Sequence, residues 1–228
     1  MSLTVAYAAL LTGVIVWLLL VRKLSAKSWE ATVGPDGVAE TSTGRFPPAR
    51  IGLWMFLAVV TSLFGLFVSA YYMRMGEHGH GGGGDWHAFA EPTILWLNTG
   101  VLILASVAMQ WARAAVRRSQ ADRTWTGLMI GGLLTLVFLA GQFYAWREIR
   151  HAEFFTPRNP AVAFFYLLTA VHGLHLLGGL YVWGRTLMRM RSKEVELIDV
   201  GLSVELCSVY WHYLLLVWLG LFAVLLST

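Results

Sequence analysis

The stretch FYLLTAVHGLHLLGG, residues 165–179, sets His172 and His175 three positions apart in an otherwise apolar run. On a helix that spacing puts both imidazoles on one face. There they could ligate a metal, pass protons, or bond to neighbouring helices. Further along, ELCSVYWHYLLLVW brings Glu205, Trp211 and His212 into a second apolar run. Polar groups inside hydrocarbon are costly, so each is a candidate functional residue. A metal needs more ligands than one histidine pair, and hydrogen bonds behind them to fix each ring. His172, His175 and His212 cannot furnish two haem axial pairs and a copper centre as well. A single haem remains open by arithmetic, as does contact with lipid headgroups; hydrogen bonding between helices is the reading these residues favour. Cys207 is the single cysteine, so no disulfide or multi-thiolate site forms within the chain, and it reads as a packing residue.

The elements that position these groups follow from composition. The chain has 228 residues, 57% hydrophobic and only 13% charged, where a soluble domain carries about a quarter charged residues. Crossing roughly 30 Å of hydrocarbon takes about 20 apolar residues. Six stretches reach that length, at about 3–21, 51–73, 93–112, 126–146, 161–184 and 202–226. The sequence therefore predicts an all-α, polytopic membrane bundle of six transmembrane helices in a single domain. The first stretch has neither a basic leader nor a cleavage site, which makes it a retained helix rather than a signal peptide. No phosphate-binding loop, dinucleotide fingerprint, nucleophile elbow or nucleic-acid motif is present.

Charge orients the helices. Of the 17 Lys and Arg, all but Arg74, Arg147, Arg150 and Arg158 fall in the connections 22–50, 113–125 and 185–201. The positive-inside bias then puts those connections in the cytoplasm and both termini outside it. The net charge of +4 thus reflects topology, with no nucleic-acid patch. The polar 22–50 segment, rich in Gly, Pro and Thr, reads as a cytoplasmic linker between the first span and the other five. The loop GEHGHGGGGDWH carries His78, His80, His87 and Asp85, which could take Zn or Cu. Its run of glycines makes ordering costly, so a solvated loop is expected.

Depth follows from the rise per residue. His172 lies roughly 16 Å into the fifth span and His212 about 15 Å into the sixth, while His175 and Glu205 both fall in the inner half. The expected pairs are His172 with the region of His212, and His175 with Glu205. Gly173, Gly178 and Gly179 offer small surfaces for a neighbouring helix. Trp54, Trp96, Trp111, Trp125, Trp146, Trp183 and Trp218 fall mostly near span ends and read as an interfacial belt; Trp211, near mid-depth, is the exception.

These same residues carry a likeness to a known family. FYLLTAVHGLHLLGG resembles the histidine signature of subunit III of haem-copper cytochrome oxidases, and ELCSVYWHYLLLVW its Glu and Tyr-Trp-His helix. WLNTGVLILAS is similar to its Asn-Thr helix, and IGLWMFLAVVTSLFGLFVSAYY to its Gly-led, Phe-rich helix. The likeness runs in order over about residues 50–226. Family members have seven helices or a shortened set of five, so six is a departure. Acids common in the family are missing: Val60 and Leu215 stand at two such positions, and Phe143, Tyr144 and Ala145 follow Gln142 where another is often found. Glu205 is retained.

The resemblance implies a non-redox subunit that stabilises the catalytic subunit I, with subunit II as a further partner. It implies no cofactor in this chain, and haem and copper in the catalytic partner. It also implies phospholipids held in a cleft, probed here by His175, Glu205, Trp211 and His212, with Arg50 and Arg113 reaching phosphates at the inner boundary. The spans at 51–73 and 93–112 would flank that cleft or meet the partner, and the setting would be a bacterial inner membrane. Three other readings stay open at this point: an accessory subunit of a nitric oxide reductase, a small membrane transporter, and a stand-alone haem protein.

Overall fold

The computed structural model describes residues 48–77, 93–153, 160–191 and 197–227. They form α1 (Pro48–Glu77), α2 (Ile94–Val116), α3 (Ala121–Glu153), α4 (Pro160–Arg191) and α5 (Leu197–Leu226). All five are long and apolar enough to cross a membrane, and the described residues contain no strand. The fold class is thus an all-α membrane bundle with five such helices rather than a demonstrated six. The span expected at about 3–21, most of the linker after it, and the loop with His78, His80, Asp85 and His87 lie outside the described residues. The chain divides after Gly52: the first turn of α1, with Arg50, belongs to the first unit and the remaining helical residues to the second.

Each helix outruns the apolar stretch that announced it. α4 has 32 residues, a length of about 48 Å at 1.5 Å per residue, so its Arg189 and Arg191 stand well past any apolar centre. Between α2 and α3 the chain turns within a few residues, which makes the two antiparallel neighbours. The turn is a Schellman closure: Gln120 N–H donates to the Ala115 carbonyl and Ser119 N–H to that of Val116, both at 3.1 Å. Ser119 supplies the left-handed residue that the closure requires, at φ 55°.

In the second unit α2, α3, α4 and α5 form a ring in which each helix packs on the next, and α5 closes back onto α2. The α2–α3 seam is built from small residues. Ala105, Ala108, Ala112 and Ala115 of α2 are buried; on α3, Gly127 lies against Ala112 and Gly131 against Met109. Apolar burial gives little drive once helices sit in lipid, so close backbone approach and van der Waals contact carry this association. A methyl group added at Gly127 would lie 2.9 Å from Ala112 Cβ and 3.0 Å from its backbone. Gly127→Ala is therefore expected to destabilise the bundle by about 1–3 kcal/mol, the cost of overpacking. At Gly65, where nothing lies within 4 Å, the same substitution should be neutral or slightly stabilising. Thermal unfolding of the two variants in detergent checks the contrast, and equal shifts would contradict it.

α1 reaches the ring through long side chains. Tyr71 meets Phe164 edge-on at 5.5 Å, Thr61 bonds the Tyr213 hydroxyl at 2.9 Å, and Tyr72 bonds Ser227 at 3.2 Å.

Candidate functional site

Two polar arrays occupy the second unit, one in the core of the ring and one along the α2–α5 face. His172 of α4 is the centre of the first, at 0% exposure. Its ring lies 5.3 Å from that of Trp218, 5.9 Å from Phe138 and 6.5 Å from Phe64. His175, one turn on, points toward α1 instead. Its Nδ1–H donates to the Val171 carbonyl at 2.7 Å, its ring sits 5.6 Å from Phe64, and its own carbonyl accepts the Tyr210 hydroxyl at 2.9 Å.

Around this centre one clasp is repeated between different helices. An indole N–H donates to a threonine hydroxyl across the interface: Trp146 to Thr169 at 3.0 Å, Trp211 to Thr135 at 2.8 Å and Trp218 to Thr99 at 2.9 Å. Each threonine passes its own proton back one turn, to the carbonyl of Phe165 at 2.6 Å, of Gly131 at 2.8 Å and of Leu95 at 2.8 Å. Back-bonded threonine stays inside a helix at little cost in lipid, and its free lone pair accepts from the neighbour. The clasps join α3 to α4, α3 to α5 and α2 to α5, and Trp183 adds a direct bond to the Leu128 carbonyl at 2.8 Å. Trp211→Phe keeps the ring and loses the donor, so a loss of about 1 kcal/mol is expected. Thr135→Val should cost about the same, and the double variant little more than either alone; additive losses in detergent unfolding would refute the clasp.

The second array runs along α2 and α5. Ser106, Gln110, Arg113 and Arg117 recur at helical spacing on one side of α2, and Glu205, Ser208 and His212 on the facing side of α5. His212 Nδ1 bonds the Ser106 hydroxyl, and its Nε2 bonds Gln110 Oε1 at 3.2 Å. Because that amide oxygen can only accept, Nε2 carries the proton and Nδ1 accepts from Ser106. Ser208 donates to the same Gln110 oxygen at 3.2 Å. Toward the Arg117 end the row becomes ionic, with Arg113 Nη2 2.6 Å from Glu205 Oε1 and Arg117 Nη2 3.3 Å from it. The Arg113 and Glu205 side chains are only 21% and 22% exposed, whereas Arg117 is 63% exposed. Beside the array lies an open groove of about 490 Å³, with walls that include Val107, Trp111 and Leu215 and a polar edge of Ser106, Gln110 and His212.

This geometry corrects several sequence-based expectations. His175 and Glu205 do not pair: Thr186 lies opposite Cys207, which sets Glu205 about three turns beyond His175 toward the Arg189 end of α4, and Glu205 is taken by Arg113 and Arg117 of α2. His172 meets α5 at Trp218, while His212 bonds α2 instead. Trp218 is no belt residue, being fully buried. Trp211 is likewise buried and engaged by Thr135, which leaves it out of reach of a headgroup. Arg113, expected at a lipid phosphate, is spent at least partly on Glu205. Arg50 sits half-buried in the first turn of α1. Cys207 is buried, 3.8 Å from the Thr186 hydroxyl.

Sequence reading passed over Ser106, Gln110, Ser208, Arg117 as an ion partner, and the receiving threonines. Their signal was present as the four-three-four spacing of polar residues on α2 and the three-four spacing on α5. Among the described residues, no three His, Cys, Asp or Glu side chains gather in a way that could hold a metal ion.

Comparison with known proteins adds an independent line. The sequence pattern of the family described as Cytochrome c oxidase subunit III matches residues 3–227. The chain is 27% identical over 207 residues to the cytochrome c oxidase subunit 3 of Bacillus subtilis, covering 89% of this chain and 94% of that one. With the probable cytochrome c oxidase subunit 3 of Mycobacterium tuberculosis H37Rv it shares 28% over 204 residues, covering 86% and 97%. Over a shorter stretch of 128 residues it is 34% identical to the cytochrome c oxidase subunit 3 of Synechocystis, covering 55% and 53%.

Proposed function

Because the chain belongs to the cytochrome c oxidase subunit III family, we propose that it is the non-redox third subunit of a haem-copper terminal oxidase, bracing the catalytic subunit and binding phospholipid during aerobic electron transport. The observation that carries this reading is the extent of the match, which takes in residues 3–227 and nearly the full length of two of those relatives. The geometry supports it. Polar side chains at membrane depth are engaged between helices: Trp211 with Thr135, Trp218 with Thr99, His212 with Ser106 and Gln110, and Glu205 with Arg113.

On this reading the haem and copper belong to catalytic subunit I, subunit II is a second partner, and this chain contributes no cofactor and binds no nucleic acid. On the same reading the apolar stretch at about 3–21, long enough to cross hydrocarbon, would be a sixth span. Both termini face away from the cytoplasm of a bacterial cell, with the protein in its inner membrane. Phospholipid has a natural berth in the groove beside Val107, Trp111 and Leu215: its apolar walls suit an acyl chain, and the exposed Arg117, about two turns along α2 from Gln110, suits a phosphate. His175, Glu205, His212 and Arg50 remain secondary candidates for headgroup contact.

Affinity purification of the tagged full chain in mild detergent tests the reading. The expected result is co-purification of a larger polypeptide that carries haem and copper and reduces oxygen, together with bound phospholipid. Recovery with a nitric oxide reductase, or of the chain alone with transport activity, would overturn it.

A further inference from the structure

Two strongly polar side chains in the core of the ring are left without partners. Both ring nitrogens of His172, and both the Oε1 and Nε2 of Gln142, are buried with no hydrogen bond among the described residues. Neither residue is surface-facing, at 0% exposure for His172 and 4% for Gln142. They also occupy one layer. Phe138, Gln142 and Trp146 recur every four residues and so share a face of α3. Of these, Phe138 meets the His172 ring at 5.9 Å, and Trp146 bonds Thr169 at 3.0 Å. Gln142, between them, therefore faces the turn of α4 from Thr169 to His172.

Nearby groups have little to offer. The Thr169 proton goes to the Phe165 carbonyl, the Thr99 proton to the Leu95 carbonyl, and the rings of Phe64, Phe138 and Trp218 hem His172 in. An unmet buried donor or acceptor bears its full desolvation cost. Four such atoms in one layer would be a severe concentration of that cost. A neutral imidazole supplies one donor and one acceptor, and an amide supplies two donors and an oxygen. A water molecule supplies two of each and characteristically joins two to four buried polar groups. The side chains are uncharged and the walls aromatic, which disfavours an ion.

We propose that Gln142 and His172 form an internal hydration site, in which ordered water bridges the amide of α3 to the imidazole of α4 in the middle of the bundle. The bridge fixes which ring nitrogen of His172 carries the proton and ties α3 to α4 one turn along α3 from the Trp146–Thr169 clasp.

The test is a map of the purified complex containing the full chain, at a resolution where ordered water is visible, for the native protein and for Gln142→Met. The native map should show a solvent peak within hydrogen-bond distance of both the Gln142 amide and a His172 ring nitrogen, and Gln142→Met should lose it. A dry layer, a direct bond between the two side chains, or a peak that survives the substitution would overturn the proposal. If the variant fails to assemble, native protein with 15N-labelled histidine decides: magnetisation transferred from water should reach the His172 ring despite its burial, and a silent ring would refute the site.

Discussion

Trp218→Ala is expected to destabilise the bundle by about 4 kcal/mol, within the range for removing a large buried aromatic side chain. Trp218 has no exposed surface and touches three of the four ring helices besides its own neighbours on α5. It stacks nearly parallel to Phe222 at 6.3 Å, meets Phe138 of α3 edge-on at 4.9 Å, lies 5.3 Å from His172 of α4, and bonds Thr99 of α2 at 2.9 Å. Lipid tails cannot refill a void inside the ring, so the loss is that of packing as well as of the hydrogen bond. Trp218→Phe retains most of the ring contact and forfeits the donor, for an expected loss of about 1–2 kcal/mol. Unfolding of the purified protein in mixed detergent micelles measures both. A Trp218→Ala variant as stable as the parent would show that this residue sits at the lipid interface after all.

The second large effect is expected at the ionic end of the α2–α5 row. Removing one member of a buried ion pair costs about 3–5 kcal/mol because the other charge is left behind. Arg113 and Glu205 are each about one-fifth exposed, and the exposed Arg117 adds little, so the expected loss for Glu205→Leu is about 2–3 kcal/mol after allowance for solvent screening. Arg113→Met alone should cost a similar amount. The double variant should recover to within about 1 kcal/mol of the parent, since two apolar side chains of fair volume replace two charges. Independent, additive losses in this cycle would refute the pair as the brace between α2 and α5.

The helices were legible because hydrocarbon thickness imposes one length on every span, and the apolar stretches from 51 onward each became a helix. Relative depth and azimuth were not. Thr186 lies opposite Cys207 and His172 opposite Trp218, so Glu205 stands about three turns beyond His175 along α4. His175 faces Phe56 and Phe64 of α1, and Glu205 is rotated toward Arg113 of α2. That rotation is set by where backbones can approach, above all at Gly127 against Ala112 and at Gly141, where an added methyl would run into the Asn98 side chain. Such contacts depend on pairs of residues far apart in sequence, and no single helix displays them.

Trp218 illustrates a second limit. Interfacial placement was inferred from position along the chain, but α5 runs to Leu226 and holds Trp218 inside the ring. Ser106, Gln110 and Ser208 illustrate a third. One serine or glutamine in an apolar run carries no message; only the row, read against the matching row of α5, marks a shared polar seam.

The central claim is that the intramembrane histidines and Glu205 brace helices, while electron transfer belongs to another polypeptide. Absorption spectroscopy and metal analysis of this chain, purified alone in detergent after incubation with haem and copper, test it most directly. The expected result is no Soret band, no stoichiometric iron or copper, and no oxygen consumption. A Soret band with one iron per chain, abolished by His172→Phe or His212→Phe, would contradict it.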